Sequence, residues 1–180
     1  MGKKGVLIIE CLDLSDLGSE GKFLSHMFDL MEVSHQYLEV RTKYQLLTLI
    51  KNSPYKVIHI TTHGSFRERK KREIFKGWWT PNGTITFKTV ESELRSSLKN
   101  KIVVSTACGS GDPEFSKALT DHAECKSYIA PKGSPKFHNA IFFSHIFYHK
   151  YFILKKSVSD IIKEYSDRYK NPHEFKCRMR

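Results

Sequence analysis

Short runs of β-branched and apolar residues alternate with amphipathic stretches along nearly the whole chain, and no other feature limits its folds so strongly. GVLIIE (5–10), QYLEVR (36–41), KVIHITT (56–62), KIVVSTA (101–107) and SYIAP (127–131) have the length and composition of buried strands. Between them, residues 19–32 place Phe23, Met27, Leu30 and Met31 at helical spacing, and TKYQLLTLIKN (42–52) stops at Asn52, Ser53 and Pro54. Further helices are expected over TVESELRSSLK (89–99) with Thr89 as cap, from Asp112-Pro113 onward, and over about 137–154. The last, SVSDIIKEYSDRY, starts on Ser157 and aligns Val158, Ile161, Ile162 and Tyr165. Such alternation predicts an α/β three-layer sandwich, a mostly parallel sheet with helices on both faces, because parallel strands need crossovers that pack back onto the sheet. IFKGWWTPNGTITFK breaks the pattern: two strand-like arms around Pro81-Asn82-Gly83 predict a β-hairpin insertion.

A chain of 180 residues, 39% hydrophobic and 12% aromatic, suits one domain, expected over 1–170 with 171–180 as a basic C-terminal tail. The longest apolar runs, Val6 to Ile9 and Ala140 to Phe143, fall far short of the roughly 20 residues that span a bilayer, so no membrane partner is expected. In MGKKGVLIIECLD the apolar stretch is closed by Glu10, unlike a secretory leader, and Val6 stands where a myristoylation signal has Ser or Thr. Cys11, Cys108, Cys125 and Cys177 are irregularly spaced and are expected as free thiols, which together with the absent leader predicts a cytoplasmic protein.

The net charge of +11 is concentrated. Residues 65–77 carry six Lys/Arg against two Glu, and residues 168–180 carry five against one. These segments make nucleic acid an alternative partner, although a charge run is more often a solvated loop or tail. The stretch Ser65 to Thr80, with its Arg67-Glu68-Arg69-Lys70-Lys71-Arg72 run, has too little apolar content to pack itself and is predicted to be mobile. Trp78 and Trp79 beside it either line a substrate cleft or pack the hairpin onto the sheet.

Two of the strands end alike. KVIHITTHGS stops at His63-Gly64 and KIVVSTACGS at Cys108-Gly109, 45 residues further on. In parallel α/β sheets, sites form at the carboxyl ends of strands, so neighbouring strands would bring His63 and Cys108 together. A cysteine nucleophile needs a base for its proton and donors for the oxyanion. His63 supplies the base, the amides of Gly64 and Cys108 are the oxyanion candidates, and the helix amino end near Pro113 would favour thiolate. Taken singly, Cys108 could be a small core residue and His63 a strand-end residue; the matched contexts favour the dyad. His59 and His63 would lie about 13 Å apart along a strand, too far to share a metal. His145 and His149 fit one helical turn, but no Glu completes a zinc-peptidase motif. No metal and no cofactor are expected.

The pair HITTHGS and STACGSGD resembles the caspase-haemoglobinase (clan CD) group of cysteine peptidases, and more closely its CHAT branch, the caspase-like domains that include separase. That family carries a strand ending in His-Gly and, roughly 50 residues later, one ending in Ala-Cys. SYIAPKGSPKFHNAIFFSHIFYHKYF is similar to the branch's fifth strand and following helix, so the resemblance covers about residues 56–166 and the first strand. It implies a caspase-like fold and a cysteine endopeptidase working through an acyl-enzyme, with Cys108 and His63 catalytic and Thr106, two residues before the cysteine, lining the pocket for the side chain preceding the cut. Thr106 is small and uncharged, and Gly109 and Ser110 depart from the caspase signature, so aspartate specificity is not implied. CHAT domains usually accompany helical-repeat or sensor regions, which implies a separate regulatory or sensor protein beside a protein or peptide substrate. A catalytically silent interaction module and a basic nucleic-acid-binding protein are the alternatives.

Overall fold

The computed structural model describes residues 3–16, 18–69, 72–170 and 173–180. In chain order the elements are β1 (Lys3–Cys11), α1 (Glu20–Leu30), β2 (His35–Glu39), α2 (Lys43–Asn52), β3 (Tyr55–Thr62), β4 (Gly64–Arg69), β5 (Arg72–Thr80), β6 (Gly83–Thr86), α3 (Phe87–Glu93), β7 (Ile102–Ser105), α4 (Pro113–Lys117), β8 (Ser127–Pro131), α5 (Phe137–Tyr148), α6 (Val158–Tyr169) and β9 (Phe175–Met179). Single π-helical turns follow α4 at Ala118–His122 and α5 at His149–Ile153.

The main sheet has the order β2-β1-β3-β7-β8-β9. Its first five strands are parallel and β9 joins antiparallel at the edge. The inner strands are apolar throughout because both their faces are covered. Alternate residues divide between two cores: Leu7, Ile9, Ile58, Ile60 and Val103 pack with α2, α3 and α4, while Val6, Ile8, Val57, Val104 and Ile129 pack with α1, α5 and α6. The architecture is therefore α/β, with a mixed, mostly parallel sheet between two helical layers. Among the described residues no helix is long and apolar enough to cross a membrane.

Capping chemistry sets the helix starts. Ser19, Thr42 and Ser157 accept from amides in the first turns of α1, α2 and α6, and Gln45 completes a capping box on α2. The helix expected over 89–99 instead begins at Phe87, because Thr86, not Thr89, is the cap: its hydroxyl accepts from the Thr89 amide.

Three further expectations are corrected. The hairpin around residues 81–83 is present as β5 and β6, but β4 adds a third antiparallel strand on the other side of β5. The stretch Ser65 to Thr80 is thus built mainly of paired strand, not a mobile loop; Lys70 and Lys71 lie outside the described residues. What holds it is Trp78, fully buried against Phe115 and Tyr128 beneath the main sheet's edge. Finally, the expected basic tail of residues 171–180 contains a strand; residues 171 and 172 lie outside the described residues. β9 occupies 175–179 and anchors on Phe175, 1% exposed and stacked on Phe143, so its charges ride on an edge strand whose other face is apolar.

Candidate active site

β3 and β7 are hydrogen-bonded neighbours, in register from Val57↔Ile102 to Ile60↔Ser105. The parallel pairing brings the residues just past both strands to the same edge. There the chain is pressed together: a Cβ on Gly64 would stand 2.0 Å from the carbonyl oxygen of Cys108. Glycine at 64 is what permits the two strand ends to touch.

His63 and Cys108 line one cleft of about 250 Å³, closed by Leu12, Pro135, Phe137 and Ala140. His63 is half-buried, with its Nε2 2.8 Å from Oδ2 of Asp16 and its ring edge-on to Trp79 at 5.7 Å between centroids. The Trp79 amide donates to the His63 carbonyl and the Thr62 hydroxyl donates to the Trp79 carbonyl, so β5 grips the end of β3 on both sides of the base. With Nε2 engaged by a carboxylate, Nδ1 is the nitrogen left to exchange a proton. Asp16 lies in the loop after β1 and itself accepts from the Asp13 amide. Nothing in the sequence marked it, since the contact joins residues 47 apart and Asp16 belongs to no spaced motif.

The Cys108 thiol leans towards the Pro135 carbonyl at 4.0 Å. Its loop is tightly knitted. Gly109, at φ +71, donates to the Gly133 carbonyl, and Gly111 donates to that of Pro131. Ser110, which departs from the caspase signature, is a buried fastener: its hydroxyl donates to the Ala107 carbonyl and meets Ser105 Oγ at 3.1 Å. Trp78 Nε1 donates to that same Ser105 oxygen. Around the cysteine, Gly109, Ser110 and Gly111 all have carbonyl acceptors, whereas the Cys108 amide has none among the described residues.

The proposed substrate contacts sort differently. Trp78 does not line the cleft: with no exposed surface, it supports the cysteine loop from beneath. Trp79 flanks His63. Thr106 lines the cleft, but its hydroxyl donates to buried Glu20 at 2.6 Å. The helix amino end near Pro113 is not turned to the thiol's use either, because the Asp112 carboxylate accepts its first amides, those of Glu114 and Phe115.

No family model matches the chain, and no curated protein matches it. The site must stand on its geometry.

Beneath the cleft lies a polar cluster that periodicity could not show. Glu20, 1% exposed, accepts from Thr106 and Ser144 and sits 3.2 Å from Nε2 of fully buried His59, whose Nδ1 shares a 2.8 Å hydrogen bond with the Tyr148 hydroxyl. Burial and the Glu20 charge push the Tyr148 hydroxyl well above its ordinary pKa, so it remains protonated. His59, counted in the sequence only as a poor metal ligand, faces Glu20, but its Nε2 makes no hydrogen bond among the described residues. Thr61 Oγ1, buried on the cleft wall, has no partner among the described residues.

The other thiols have different surroundings. Burial raises Cys11 to about 11, Cys125 to about 12 and Cys177 to about 11, so near neutral pH they are protonated.

Proposed function

We propose that the chain is a caspase-like, CHAT-type cysteine endopeptidase in which Cys108 is the nucleophile and His63 the general base and acid. The observation that carries this reading is the meeting of the two strand ends at one cleft, with the far nitrogen of His63 held by Asp16. The thiol proton passes to His63 Nδ1 as Cys108 Sγ attacks the scissile carbonyl. The tetrahedral oxyanion is met by the Cys108 amide, with Gly64 as the second candidate donor. Its collapse breaks the C–N bond, His63 protonates the leaving amine, and a thioester remains. His63 then takes a proton from water as the water oxygen attacks the thioester carbonyl; the C–S bond breaks, the acyl half leaves as a carboxylic acid, and His63 returns the proton to the Cys108 sulfur.

Leu12, Phe137 and Ala140 give the cleft apolar walls, and the Glu20 carboxylate is already engaged by Thr106 and Ser144. An uncharged residue therefore precedes the cut. The four unpaired cysteines fit the reducing cytoplasm. The nucleic-acid alternative draws less support: on β9 and beside it, Lys176, Arg178 and Arg180 face Glu174, Asp121 and Glu124.

The test is incubation of wild type and Cys108→Ala with a diverse peptide library, with products read by mass spectrometry. Cleavage by wild type that disappears in Cys108→Ala supports the peptidase. Identical products from both proteins, or none from either, count against it and leave the silent module.

A further inference from the structure

At the opposite edge of the main sheet, where β1 and β3 begin, two adjoining grooves of about 440 and 400 Å³ share Lys4, Gly5, Phe152 and Lys155. One extends over Val57 and Tyr151, the other over Met31 and Val33. Local backbone irregularities shape them. The pairing of β1 with β3 slips between Lys3 and Val6, and Gly5, at φ +121, lies so close to the Ser34 carbonyl that a Cβ would be 2.0 Å from it. On the other wall, α5 widens into the π-helical turn His149–Ile153, and Lys155 follows in the left-handed region at φ 54. Such turns and conformations cost stability and collect at functional places.

The surface they produce is apolar and cationic at once. Ile153, Leu154 and Leu30 beside the grooves are 45%, 50% and 88% exposed. Lys4, Lys56 and Lys155 have no carboxylate partner among the described residues, and Glu32 is the one acidic residue lining either groove there. A lone exposed leucine needs no explanation, but a concave apolar floor rimmed by lysines of which three lack a carboxylate partner among the described residues does; Lys155 donates to the Phe152 carbonyl and Lys156 pairs with Glu164.

We infer that this trough docks an acidic amphipathic helix of a partner protein, apolar stripe against Phe152, Val33 and Ile153 and carboxylates towards Lys4, Lys56 and Lys155. Nucleic acid would leave the apolar floor without a counterpart, and a flat bilayer cannot fill a concave trough.

The trough also touches the cleft by a continuous buried route. The π-helical turn follows directly on Tyr148; Tyr148 bonds His59, whose Nε2 lies 3.2 Å from Glu20 in contact but without a hydrogen bond among the described residues, and Glu20 holds Thr106, two residues before Cys108. A partner that shifts the turn therefore acts on the cleft wall. This coupling rests on the peptidase reading, whereas the docking does not.

The experiment uses a labelled helical peptide with leucines on one face and glutamates on the flanks, a scrambled peptide of equal composition, and phosphatidylcholine vesicles containing phosphatidylserine. Anisotropy at physiological salt should show the helical peptide bound at least about tenfold more tightly than the scrambled one, with Lys4→Glu/Lys56→Glu and, separately, Ile153→Ser each losing about tenfold. Both variants alter exposed side chains, and an unchanged melting temperature confirms their folding. Equal binding of the scrambled peptide, unchanged binding by both variants, or capture by vesicles but not peptide overturns the docking site. If the peptide binds and changes cleavage by wild type, Tyr148→Phe should keep the binding and lose the change; a change retained in full refutes the route through His59. Peptide binding without any cleavage by wild type would uphold the trough and sink the peptidase.

Discussion

Four cysteines share this chain, and burial sets three of them apart. Desolvation holds Cys11, Cys125 and Cys177 as thiols up to about 11, 12 and 11 respectively, and a thiol raised that far supplies almost no thiolate at pH 7. Iodoacetamide near neutral pH should therefore modify Cys108 first, with His63→Ala slowing that reaction, while the other three wait for unfolding or, for Cys11 and Cys177, for pH of about 11. Mass spectrometry of partly labelled protein reads the order, and early modification of Cys11 or Cys177 would contradict the assignment. Asp16 offers a second residue-scale test. Its role is to hold the His63 ring, so Asp16→Asn should lower kcat by at least about tenfold, about 1.4 kcal/mol, with KM nearly unchanged. Asp16→Glu should recover part of the loss. Equal rates for Asp16→Asn and wild type across the pH range would show the 2.8 Å contact to be incidental.

At the scale of elements, the two tryptophans divide labour between support and contact. Trp78 fills the space between β5 and α4 and bonds Ser105, so Trp78→Ala should destabilise the fold by about 3–5 kcal/mol, measured by urea denaturation. Trp79→Ala removes a half-buried ring against His63 and should depress cleavage with much less effect on stability. A reversal of this order would mean that the hairpin does not brace the site. The same comparison explains what could be read from the sequence. β1, β3, β7 and β8 were legible because burial on both faces demands unbroken apolar runs. β4 and β9 were not: the charged residues in and around both strands read as loop or tail, β4 closes a hairpin directly onto β5, and β9 is held by pairing to the distant β8. His63 and Cys108 were legible as strand ends followed by glycine. Asp16, Glu20 and Thr61 were not, because a loop carboxylate, a helix's first residue and a strand threonine look ordinary until the chain closes over them.

For the molecule as a whole, charge is spread less provocatively than its total suggests, since the cations of β9 face carboxylates. Single-stranded DNA should accordingly show no measurable binding at ~50 mM salt; tight binding that falls steeply as salt rises would revive the polyanion reading. Related chains, when aligned with this one, carry a different kind of information at two adjoining positions. The obstacle to a side chain at 64 is the backbone oxygen of residue 108, an atom every amino acid possesses. No replacement of Cys108 could make room there, so a descendant that had abandoned chemistry and lost both His63 and Cys108 would still have to keep Gly64. Persistence of that glycine marks inheritance of the scaffold; only persistence of its two neighbours marks inheritance of a reaction.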